Sequence, residues 1–206
     1  MERLPLCFYP LVFGLVIGSV ASCGDKKKDE DDPVTVYGNM TLSDSKGGND
    51  NATVQLTSLT ACTRNADTGR VDVNLTQGAG KPAMTFAIKD YSSSPKTYIC
   101  KQAADNATSD TEVGGKFESC MASAYVMSSA TTTTLNGYQM HRDSASTKKF
   151  TYAGNCSVTV TTASPAIVGT VSCTGMVQTM LESAARNPID GAITATLQGD
   201  FNCTFQ

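Results

Sequence analysis

The sequence predicts an all-β protein: an antiparallel β-sandwich or barrel-like domain with one short helix, stapled by disulfides. Three observations carry that prediction. Apolar and polar residues alternate with period two in several segments, the pattern of strands with one buried and one wet face. Clusters of Gly, Asn, Asp and Ser, such as 43–51 and 76–81, separate those segments and supply turns. Of the eight cysteines, six lie in the alternating part: Cys62, Cys100, Cys120, Cys156, Cys173 and Cys203.

The chain begins differently. Arg3 precedes an apolar run from Leu4 to Ser22 that thins toward small residues at Gly18, Ser19, Ala21 and Ser22. A charged tip, an apolar segment and a small-residue exit describe a secretory signal peptide, 1–22. A membrane span needs about 20 apolar residues, and Pro5 and Pro10 interrupt a continuous helix here. The run closes on Val20-Ala21-Ser22-Cys23, which resembles the lipobox of bacterial lipoproteins. That resemblance implies cleavage before Cys23 and attachment of lipid to its thiol. Gly24 stands where an Asp is the familiar inner-membrane retention signal, so the resemblance implies an outer-membrane address. Simple cleavage after Ser22 and an uncleaved anchor are the competing readings.

Residues 23–33 read as a lipid-anchored, flexible, charged tether. Gly24 to Pro33 contains three lysines and five acids and no apolar residue to bury, so it is expected to stay solvated. Ten residues reach at most about 35 Å. Residues 34–206 then form the β-rich globular domain.

Within it, Val34, Val36, Met40 and Leu42 alternate with polar residues, as do Val71, Val73 and Leu75, and then Met84, Phe86 and Ile88. The segment 116–127 fits strand or helix, and 131–134 fits an exposed strand or loop. Cys156 to Cys173 reads as a hairpin turning at Ala163-Ser164-Pro165-Ala166. Setting Cys156 opposite Cys173 puts Val158 opposite Val171 and Val160 opposite Gly169, all on one face. A slip of one residue would expose all of them, so a 156–173 bridge is expected. Val177, Met180, Leu181, Ala184 and Ala185 follow helical spacing between Thr174, an N-cap, and Asn187-Pro188, a stop. Last, Ile193, Ala195, Leu197, Gly199, Phe201, Cys203 and Phe205 share one face of a long strand, with Gly199 read as a bend or bulge.

Six cysteines in an exported chain allow three disulfides and fifteen pairings. Ile167-Val168-Gly169-Thr170, Thr174-Gly175-Met176 and the final strand to Cys203 resemble the tail of the mycobacterial 19-kilodalton lipoprotein antigen group. In that group a cysteine early in the domain bonds the terminal one. The resemblance therefore implies Cys62 with Cys203 and, with it, Cys100 with Cys120.

Chemistry is sparse. The single histidine, His141, lies outside any nucleophile motif and cannot form a multi-histidine zinc site. Asp90, Glu118, Asp143, Asp190 and Asp200 could supply a carboxylate pair, but nothing in the sequence brings two together. The oxygen-rich stretches 43–51 (Asp44, Asn49, Asp50, Asn51) and 105–112 (Asp105, Asn106, Asp110, Glu112) lack EF-hand spacing and read as turns. No catalytic residue, metal or cofactor is therefore expected. Net charge is −3 with no basic cluster in the globular part, which argues against nucleic acid. Asn39, Asn51, Asn74, Asn106, Asn155 and Asn202 each begin an Asn-x-Ser/Thr triplet. A polar strand face repeating every second residue generates that triplet unaided. The reading is a membrane-anchored bacterial lipoprotein whose extracytoplasmic domain is a binding or structural module of the envelope, with an envelope protein or carbohydrate as partner. The alternatives are a periplasmic or surface hydrolase using paired carboxylates, and a eukaryotic secreted N-glycosylated protein.

Overall fold

A computed structural model describes residues 35–45, 50–101, 117–127, 135–143, 150–152, 154–180 and 193–206. These residues belong to one compact unit, Val34–Gln206. They form thirteen strands and no helix: β1 (Gly38–Asp44), β2 (Ala52–Leu56), β3 (Ser58–Arg64), β4 (Val71–Thr76), β5 (Ala83–Ile88), β6 (Lys96–Cys100), β7 (Cys120–Met127), β8 (Leu135–Gln139), β9 (His141–Asp143), β10 (Phe150–Tyr152), β11 (Asn155–Thr162), β12 (Ala166–Met180) and β13 (Thr194–Thr204).

Eleven strands make one antiparallel sheet in the order β2-β1-β13-β12-β8-β7-β5-β4-β3, with β11 on the early part of β12 and β6 on β11. The two ends of that order, β2 and β3, are consecutive in the chain, separated by Thr57 alone. The sheet therefore curls until its first and last strands meet at a corner, a nearly closed barrel. Closure suits the burial pattern. On β13, Ala195, Leu197, Phe201 and Cys203 are buried while Thr196, Gln198, Asp200, Asn202 and Thr204 are exposed. The buried set packs across the interior, with Phe201 against Phe86 of β5 at 4.6 Å between ring centroids.

Three disulfides join Cys62 to Cys203, Cys100 to Cys120 and Cys156 to Cys173. The first links β3 to β13, where the backbone N–H of Gln206 also donates to the carbonyl of Cys62 at 2.9 Å. The second links β6 to β7. The third lies within the β11–β12 hairpin, whose register sets Cys156 against Cys173, Val158 against Val171 and Val160 against Gly169.

Two expectations require correction. The helix from Thr174 is absent as far as Met180, since those residues continue β12; 181–192 lie outside the described residues. The strand carries a bulge where the helix was expected to start. Between Cys173, opposite Leu197, and Met176, opposite Ala195, β12 advances three residues against two, with Gly175 at φ 69°. The inward face shifts from odd to even positions, with Val171 and Cys173 buried before the bulge and Met176 and Gln178 buried after it. Gly199, by contrast, is no bulge. It stays in register with Met40 on one side and Val171 on the other. Its missing side chain makes room for Met84, whose Sδ would lie 2.5 Å from a Cβ built there.

Smaller outcomes follow the same logic. Residues 120–127 of the ambiguous 116–127 segment are strand β7. Val36 precedes β1 and is exposed, so the buried alternation starts at Gly38 and Met40. The segment 131–134 lies outside the described residues.

Candidate functional site

Two arrangements stand out, a buried carboxylate at one end of the barrel and a broad polar face on its flank. The carboxylate is Asp50, in the turn between β1 and β2, and it is only 7% exposed. The turn is seated on β13: the Ser45 N–H donates to the carbonyl of Thr194 at 2.7 Å, and the Thr194 N–H returns a bond to Ser45 Oγ at 3.1 Å. Asn51 Oδ1 accepts the N–H of Asp44 at 2.8 Å, which turns the neighbouring Asp50. Asp50 thereby reaches the facing pair β8–β12, where Tyr138 and Gln178 stand opposite one another.

There it accepts three side-chain donors. Tyr138 Oη donates to Oδ2 at 2.5 Å, Gln178 Nε2 to Oδ2 at 2.9 Å, and Asn136 Nδ2 to Oδ2 and Oδ1 at 2.9 and 3.1 Å. Gln178 Nε2 also lies 3.2 Å from Tyr138 Oη. Among the described residues no cation pairs with Asp50, so neutral donors alone compensate its burial. Burial first, then the hydrogen bond to Asp50 and the charges of Asp50 and Asp44, push the Tyr138 phenol well above its usual range. It therefore stays protonated as a donor. Holding three donors, Asp50 is a clamp between the β1–β2 turn and the β8–β12 pair.

A pH prediction follows. A phenol raised in the folded state holds its proton in both states below its unfolded value of 10.0. Its contribution is complete there. Above that value the unfolded chain releases the proton while the folded chain keeps it, so stability falls as pH rises. Urea midpoints measured between about pH 9 and about pH 11 should decline for the parent. Tyr138→Phe should begin lower at neutral pH and decline less steeply. Parallel curves would show that another group governs the alkaline limb.

The residues singled out from sequence do not converge. Asp90 is exposed after β5 with φ 52°, and Glu118 is exposed before β7. Asp200 is on the outer face of β13, while Asp190 lies outside the described residues. His141 and Asp143 fall on β9, opposite Tyr152 and Phe150. In the 43–51 stretch, Asp50 turns into the barrel and the Asn51 amide oxygen is occupied by backbone, so their oxygens do not point to one centre. Among the described residues no group of three metal-ligating side chains occurs. The 105–112 stretch and Cys23 lie outside the described residues.

The polar face spans β2, β1, β13, β12, β11 and β6. Strand register builds two parallel rows on it: Gln55, Asn39, Asp200, Thr170, Thr159 and Thr97, then Thr53, Thr41, Gln198, Ser172, Ser157 and Ile99. Neighbours hydrogen-bond along the rows. Asn39 Nδ2 donates to both oxygens of Asp200 at 3.1 and 3.2 Å, Gln198 Nε2 donates to Ser172 Oγ at 2.8 Å, and Thr97 and Thr159 hydroxyls meet at 3.1 Å. A depression of about 330 Å³ crosses the centre, walled by Asn39, Thr41, Thr170, Gln198 and Asp200. The β4–β5 part of the sheet differs: Arg70 forks onto Asp72, and Lys89 lies over the Phe117 ring.

Sequence reading placed Asp50 in a turn and missed its three partners. Asn136 and Gln178 carried no signal beyond being polar within apolar segments, and nothing local connects them to a turn 86 or 128 residues away. Comparison of the chain with protein-family models, with curated proteins and with solved structures finds no match.

Proposed function

We propose that the chain is a bacterial lipoprotein, held to the cell envelope by lipid on Cys23, whose β-domain serves as a binding or structural module outside the cytoplasm. The observation that carries the proposal is Val20-Ala21-Ser22-Cys23 at the end of an apolar segment. The charged 24–33 spacer and the three disulfides support it, because disulfides persist in oxidising compartments and are rare in the cytosol. A single acyl chain gives marginal attachment, with about 0.8 kcal/mol per buried methylene, so two or three chains make the anchor stable. Gly24 favours the outer membrane in a Gram-negative host. The domain is suited to bearing a tether: Tyr37 donates to the Leu56 carbonyl and accepts from the Asn202 N–H, at 2.9 and 2.7 Å. A pull on the leading segment therefore meets two strands before it reaches β1.

Metabolic labelling with a radioactive fatty acid tests the anchor. The parent should take up label and partition into detergent, and Cys23→Ala should lose both while keeping its disulfides. Equal labelling of the two proteins would refute lipidation at this position.

A further inference from the structure

We propose that this polar face is a binding site for a neutral glycan, centred on the depression between Asn39, Thr41, Thr170, Gln198 and Asp200; this deepens the reading of the domain as an envelope binding module. Six adjacent strands at about 4.8 Å spacing make the two rows about 24 Å long. The rows contain no Lys or Arg and a single carboxylate, Asp200. Such a composition suits few partners. An anionic polymer or headgroup layer requires cations, which these rows lack. A protein interface is built around buried aromatic or apolar anchors, and the rows offer only Ile99 at the β6 rim, 51% exposed. A hydroxyl-rich, uncharged polymer is what remains, since hydroxyl and amide groups can both donate to it and accept from it.

The residue choice argues for use rather than for strand formation alone. Threonine is a good strand former, but Asn and Asp are depleted from strands. Asn39 and Asp200 nevertheless face each other within paired strands, one pair in from the end of the β1–β13 ladder. Their mutual hydrogen bonds fix the amide and carboxylate before a ligand arrives: Asp200 Oδ1 accepts both the backbone N–H and the Nδ2 of Asn39, while Oδ2 accepts Nδ2 alone and keeps a lone pair for a ligand hydroxyl. Pre-bonded side chains lose less rotamer freedom on binding, which lowers the entropic cost of association. The neighbouring Thr41 and Thr170 hydroxyls complete a polar ring about the depression.

Affinity electrophoresis of the detergent-solubilised full chain, through native gels containing dextran, mannan or β-1,3-glucan, tests the site. At least one of these neutral polysaccharides should retard the parent. Thr41→Val combined with Thr170→Val keeps the β-branched shape and removes only two hydroxyls. It should weaken retardation roughly tenfold, as neutral hydrogen bonds of ordinary strength require. Gln198→Lys should weaken it as well, and Thr63→Val on β3, outside the two rows, should leave it unchanged; thermal melts report that each variant is folded. Retardation by none of the three, retardation only by a sulfated polysaccharide, or equal retardation of the parent and the Thr41/Thr170 variant would overturn the proposal. Fatty-acid labelling separates the two readings: a labelled protein that ignores glycans sinks this inference alone, and an unlabelled protein that binds them sinks the anchor alone.

Discussion

Replacing Cys62 and Cys203 together by alanine should destabilise the domain more than removing either other disulfide. The two residues are 141 positions apart, against 20 for Cys100–Cys120 and 17 for Cys156–Cys173. Chain-entropy arithmetic assigns about 5 kcal/mol to closing the long loop and about 3 kcal/mol to each short one. Architecture works in the same direction. Cys156 and Cys173 already face each other in a hydrogen-bonded hairpin, so their bridge duplicates a ladder that β11 and β12 maintain. Cys62 and Cys203 instead connect strands far apart in the sheet order, across the seam where the barrel closes. The Gln206 N–H bond to Cys62 is the adjoining backbone link there. Urea midpoints of the three double-alanine proteins, each with its other bridges oxidised, check the order. A Cys156/Cys173 variant as unstable as the Cys62/Cys203 variant would show that seam closure contributes little.

The contrast between those bridges also marks what the sequence could convey. The β11–β12 register was legible because two cysteines and four apolar or small residues had to share one face, and a one-residue slip would have exposed them all. The long β13 strand was legible for the same reason: eleven residues of unbroken alternation leave no competing period. Where the alternation breaks, the reading broke with it. One inserted residue at the Gly175 bulge changes the phase of β12, so Thr174 to Met180 shows no clean period-two pattern. Strands β2 and β3 were missed because β2 offers only three inward residues, Ala52, Val54 and Leu56, and β3 buries no regular face; among their twelve residues only Leu56 and Cys62 are fully buried. The site shows a different limit. The polar face was visible as a set of Thr, Asn and Gln residues, because period two assigns a side without further information. Its two rows were not, because a row across six strands depends on five registers at once.

Asp50 is the position where a single substitution should cost most. Asp50→Ala removes the common acceptor of Tyr138, Gln178 and Asn136 without supplying water to a site that is almost closed. Each abandoned buried donor costs on the order of 1–3 kcal/mol, so the expected loss is about 3–5 kcal/mol. Against a domain stability of about 5–15 kcal/mol, that is enough to populate unfolded chains at moderate temperature. The partners should rank below it. Asn136→Ala leaves the carboxylate two donors, and its cost should be on the order of 1 kcal/mol. Asp50→Asn keeps the shape but turns an amide N–H₂ toward groups that are donors themselves, so it should fall between the two. Local and global effects can be told apart by amide exchange. The Ser45 and Thr194 N–H groups, which seat the turn on β13, should lose protection in Asp50→Ala before Val171 and Phe201 in the core. Uniform loss would place the carboxylate in the cooperative unit of the whole barrel. A stability equal to that of the parent would mean that the three donors find other partners, and that the clamp at this end of the barrel is dispensable.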